Sequence, residues 1–152
     1  MEAPDRSLTE DFARGVVDEL APGELPLFGA MSRAWFAAPE RVRAATGRDD
    51  RLAFGVAEAA ALVTPVLLSA CTHIVMQFGE ELSRGLAREA AALVRDQLQK
   101  LIRGEDGGLA LSVEQVKKAR QITLETARRY RVPEHKAEQI AEAVTRRLRP
   151  RA

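Results

Sequence analysis

From Leu52 to Phe78 the chain reads LAFGVAEAAALVTPVLLSACTHIVMQF, with Glu58 its only acidic residue and neither lysine nor arginine. A segment apolar on every side is stable in two settings, within lipid or at the hub of a helical bundle. The charge-free window from Ala59 to Met76 approaches the roughly 20 residues that cross a bilayer. Gly55 with Ala59, and Ala57 with Ala61, add small residues four apart, a spacing that lets helix backbones approach closely. Against insertion stand Pro65 at the centre, Glu58 and His73 near the ends, and the polar Thr64, Ser69 and Thr72. A charge at a helix centre costs roughly 2.5–3.5 kcal/mol in lipid. Pro65 should also kink the helix between Ala61 and Pro65. Whichever setting holds, Phe54, Val63, Pro65, Leu67, Leu68, Ile74 and Phe78 are the residues expected to meet lipid or core.

The rest of the chain reads as helix throughout. Aromatic residues make up 5% of it, and the dominant Ala, Leu, Glu and Arg lose little freedom in a helix. No stretch shows the alternation of a strand. Ser7 to Glu10 has the pattern of a capping box that opens a helix at Leu8, with Phe12, Val16 and Leu20 on one face and Ala21-Pro22-Gly23 as its stop. A second helix opens at Glu24-Leu25-Pro26 and carries Leu27, Phe28, Met31, Trp35 and Phe36. A short third runs from Pro39 to Ala45.

Beyond the apolar segment, residues 79–103 continue helical with Leu82, Leu86, Leu93, Leu98, Leu101 and Ile102 along one stripe. Gly104-Glu105-Asp106-Gly107-Gly108 is the best boundary in the chain. A capping box at Ser112–Gln115 then opens a helix to about Tyr130, Val132-Pro133 breaks it, and a last helix covers Glu134 to Leu148. The expected fold is all-α: a bundle or long hairpin over residues 1–103 around the apolar helix, a linker at 104–108, and a two-helix module at 109–152.

Little in the residues suggests chemistry. The one cysteine, Cys71, excludes an internal disulfide and a cysteine-rich zinc site. Adjacent helical residues diverge by about 100°, so Cys71 and His73 do not form a nucleophile–base pair. Two histidines support no metal site, and no glycine loop carries the Lys-Ser or Lys-Thr of a phosphate cradle. The expectation is no enzyme activity, no cofactor, no metal and no small-molecule substrate.

Residues 1–78 carry 7 basic and 11 acidic groups and residues 79–152 carry 16 and 11, so the halves bear −4 and +5. Spread over many turns, that marks solvated faces. Ala127, Arg131, Val132, Ala137 and Ile140 resemble the core spacing of helix-turn-helix domains over some 20 residues, with Arg131 where glycine is usual. The resemblance would imply DNA reading by the helix from Glu134. Its Glu134, Glu138 and Glu142 would face phosphates, so nucleic acid is not the expected partner.

Ala21-Pro22-Gly23-Glu24-Leu25-Pro26-Leu27-Phe28, then Phe54-Gly55, then Thr64-Pro65, resemble a group of small bacterial helical proteins without an established activity, over roughly residues 17–103. That likeness implies no catalytic or binding residue.

The leading expectation is a non-catalytic, membrane-associating protein, an oligomeric or pore-type effector by analogy with colicin bundles, whose C-terminal hairpin binds another protein. It would sit in the cytoplasm or at the cytoplasmic face of the membrane, peripheral or integral, since Met1 to Glu10 lacks a secretory signal. The alternative is a soluble helical adaptor or oligomerisation scaffold with 52–78 as core, and a helix-turn-helix DNA-binding regulator stands third. Interaction candidates, for a protein partner or self-association, are Trp35, Phe36, Leu86, Leu93, Leu98, Val116, Ile122, Ile140 and Val144.

Overall fold

The computed structural model describes residues 6–45, 62–105 and 107–149. Among them are seven α-helices: α1 (Arg6–Leu20), α2 (Leu25–Ala37), α3 (Pro39–Ala45), α4 (Thr64–Ser83), α5 (Arg88–Arg103), α6 (Val113–Arg129) and α7 (Glu134–Leu148). A single 3-10 turn, Pro22–Glu24, joins α1 to α2. The all-α expectation holds, including a closely packed α6–α7 pair.

The centre of the molecule is α4, which packs against α1, α2, α3, α5 and α6. Val66, Leu67, Leu68, Ala70, Cys71 and Phe78 are fully buried there. Around them stand Phe12, Val16 and Val17 of α1, Phe28 and Trp35 of α2, Leu98 and Ile102 of α5, Ala119 and Ala127 of α6, and Ile140, Val144 and Leu148 of α7. One continuous core thus takes in helices from both ends of the chain.

This packing overturns the reading of the apolar segment as membrane-inserted, and with it the pore-type effector and the integral placement at a membrane. Among the described residues no helix is long and apolar enough to cross a bilayer. The physical reason is where α4 begins. Pro65 lies in the first turn of α4 and does not kink a longer helix; its missing amide hydrogen would have had no intrahelical partner there. The apolar sides of α4 are then covered by protein, as a hydrophobic hub requires. Val63, Pro65, Leu67, Leu68, Ile74 and Phe78 are all core residues. Phe54 and the small-residue pairs at 55/59 and 57/61 lie outside the described residues.

Two local expectations also change. The Ser7–Glu10 box does not form: α1 already includes Arg6, and the Glu10 carboxylate accepts from Arg6 Nε at 3.0 Å and from Ser32 Oγ of α2 at 2.9 Å. The stripe after Phe78 is not one helix. α4 ends at Ser83, and Gly85 turns the chain with φ 77°, a left-handed conformation that suits a residue without Cβ. The Ser112 box does form, with Gln115 N–H donating to Ser112 Oγ at 3.1 Å and Ser112 N–H to Gln115 Oε1 at 2.8 Å.

The glycine-rich stretch after α5 folds back along it. Gly104 (φ 72°) caps the helix, the Glu105 amide donates to the Lys100 carbonyl at 2.8 Å, and the Leu109 amide to the Gln97 carbonyl at 3.2 Å. Gly108 lies so close to α5 that a Cβ would stand 2.6 Å from the Leu101 nitrogen.

Candidate functional site

Most large apolar side chains are enclosed, so the exposed ones are informative. Leu93 in the first half of α5 is 59% exposed, and Leu86, in the turn just before α5, 44%. That helix buries only Leu98, Leu101 and Ile102, near its far end. Its first turns therefore project an incompletely covered edge, with Ala90 and Val94 partly covered beside Leu93. Residues three, four and seven apart share a helix face. Glu89, Asp96 and Lys100 stand at those distances from Leu93, and none has an ion-pair partner among the described residues.

The other interaction candidates are placed differently. Trp35 is 6% exposed and its Nε1–H donates to Tyr130 Oη of α6 at 3.0 Å. Phe36 packs edge-on to Trp35, with centroids 5.0 Å apart, beneath the Arg6 guanidinium. Leu98, Ile140 and Val144 are buried, and Val116 and Ile122 pack half-covered against the core. The apolar face of the hairpin is therefore turned inward, α6 towards α4 and α7 towards α1 and α5.

A groove between α4 and α6 measures about 640 Å³. Met76 and Ile122 give it some apolar surface, and its rim mixes charges. Lys118 Nζ lies 3.8 Å from Glu81 Oε2, and Arg129 Nη2 3.5 Å from His73 Nδ1. Partial burial, and then the positive charge of Arg129, hold the His73 imidazole below its ordinary value of 6.5. Cys71 is sealed in the core, where burial pushes its thiol far up and outweighs the nearby Arg147 charge. His73 faces outward and Cys71 inward, so the two are not brought together. Among the described residues no three His, Cys, Asp or Glu side chains cluster to hold a metal ion.

Sequence reasoning missed the role of Glu24. Its buried carboxylate caps α4 from forty residues away, accepting from Val63 N–H at 3.1 Å, Thr64 N–H at 3.0 Å and Thr64 Oγ1 at 2.7 Å. The available signal was Thr64-Pro65 itself: a first-turn proline with Val63 before it marks a helix start lacking a capping side chain of its own.

Fold and surface together define a class, an all-α bundle wrapped around a buried central helix. No protein-family model, curated protein or solved structure matches the chain.

Proposed function

We propose that the protein is a non-catalytic helical scaffold that self-associates through the open edge of α5. The observation that carries the reading is Leu93, more than half exposed on a helix whose other large leucines are enclosed. The occupant that fits is α5 of a second copy, antiparallel to the first. Glu89 lies towards the start of the Leu93 face and Lys100 towards its end, with Asp96 between them. Reversing one copy sets the acidic end of each helix towards the basic end of the other, in an isologous two-fold contact. Each leucine removed from water contributes about 1.5–3 kcal/mol at full burial.

The test is sedimentation velocity over a wide concentration range on the wild type and on Leu86→Glu and Leu93→Glu. A concentration-dependent dimer that both variants abolish, with helicity retained, is the expected outcome. A wild type that stays monomeric throughout, or a dimer indifferent to both changes, refutes the proposal.

A further inference from the structure

Three arginines stand at the end of α7, and only one is neutralised within the described chain. Arg146 pairs with Glu19 of α1, whereas Arg147 and Arg149 meet no carboxylate among the described residues. One face of α1, where Asp11, Gly15 and Glu19 recur every four residues, seats Arg146 and Arg147 together with an arginine of α5. Asp11 takes Arg103 of α5, with Nη2 to Oδ2 at 2.7 Å, and Glu19 takes Arg146. At the middle position there is no side chain, and that vacancy admits the third guanidinium. A Cβ on Gly15 would overlap Cζ, Nε and Nη2 of Arg147.

Arg147 therefore lies against the backbone of α1 without the acidic partner that its neighbours have. Its Nε is cut off from solvent and donates to nothing. Its charge is felt as far inside as the buried Cys71 thiol. A partly buried cation without a counter-charge is unfavourable, and an anion entering beside it supplies one.

Arg146, Arg147 and Arg149 line a cleft of about 320 Å³ whose opposite wall is the chain returning from α5. The amides of Gly107 and Gly108 on that wall make no hydrogen bond among the described residues. Two carboxylates, Glu19 and Glu105, also line the cleft. Glu19 is already engaged by Arg146, so the three guanidiniums leave the cleft net positive.

We infer that this cleft binds a small oxyanion, its phosphate or carboxylate head held by the forked donors of Arg147 and Arg149. Planar guanidinium groups match both heads in two-pronged geometry. The limited volume selects a small ligand over an extended polyanion.

Calorimetric titration of the full chain at low salt tests the inference, with inorganic phosphate as one probe and citrate as the other. Saturable one-to-one binding of at least one is expected, and the preferred probe identifies the head group. Arg147→Gln and Arg149→Gln should each weaken it about tenfold or more, the loss of a charge-assisted contact. Arg41→Gln on α3, an exposed arginine outside the cleft, should leave it unchanged. Gly15→Ala should weaken binding while the fold is kept, because it displaces the guanidinium and removes no charge. If Arg147→Gln loses its circular dichroism, Arg149→Gln decides. Absence of saturable heat with both probes, or equal losses in Arg149→Gln and Arg41→Gln, overturns the inference.

Discussion

Replacing Glu24 by alanine removes one carboxylate and leaves three donors without an acceptor: the amides of Val63 and Thr64 and the Thr64 hydroxyl. Val63 is 3% exposed and Thr64 fully buried, so water reaches these groups poorly. An orphaned buried donor costs about 1–3 kcal/mol. Allowing for some resolvation in the cavity left behind, the three together come to about 3–6 kcal/mol, a large part of a typical stability of about 5–15 kcal/mol.

Glu24→Gln keeps the shape and one acceptor oxygen but gives up the charge facing the positive end of α4, for a loss of about 1–2 kcal/mol. Urea unfolding followed by far-ultraviolet circular dichroism should rank wild type above Glu24→Gln above Glu24→Ala. Thr64→Val should cost less in the Glu24→Ala background than alone, because its acceptor has already gone. Equal losses for glutamine and alanine, or a loss under about 1 kcal/mol for alanine, would refute the account of Glu24 as the cap of α4.

Leu68 has no exposed surface, so Leu68→Ala should cost about 2–5 kcal/mol in a urea melt, and Leu68→Arg should fail to accumulate as folded protein. Arg131 adopts φ 60° with an exposed side chain. Glycine there relieves about 1–2 kcal/mol of backbone strain and adds about 0.4–1 kcal/mol of unfolded-chain freedom, so thermal unfolding of Arg131→Gly should show a net gain of about 0.5–1 kcal/mol. The unfolded chain protonates His73 near its ordinary value of 6.5, whereas the folded protein keeps it neutral to lower pH. Its contribution to stability is therefore full above that value and declines as pH falls through the folded value; His73→Gln should flatten this part of a pH–stability curve.

The helices were legible because their signals are local. Phe12, Val16 and Leu20 recur at the helical period, and Ser112 and Gln115 cap within one turn. What surrounds α4 was not legible, since Leu67 and Leu68 satisfy a lipid pattern as well as a core pattern. Only the packing of α1, α2 and α6 around α4, brought together from distant parts of the chain, decides between them. The start of α4 was obscured because apolar residues run through Thr64-Pro65 without a polar break. Glu10 was misread for a related reason: a carboxylate three residues after a serine fits a local box, yet Ser32 lies within reach in space. At the candidate α5 edge, periodicity singled out Leu86 and Leu93 together with Leu98. Only three-dimensional packing separates the buried leucine from the two exposed ones. Gly15 and Arg147 carry no sequence signal of their meeting beyond a glycine in mid-helix.

The bond between Trp35 and Tyr130 joins the only tryptophan of the chain to its only tyrosine, across 95 residues. An indole so enclosed emits at short wavelength only while α6 lies against it, so the protein carries an intrinsic optical reporter of contact between its two ends. During synthesis the indole leaves the ribosome long before its phenol acceptor has been translated, and until then water must stand in for the missing oxygen. A blue shift in the emission of nascent chains would time the moment when the last helices close over the first.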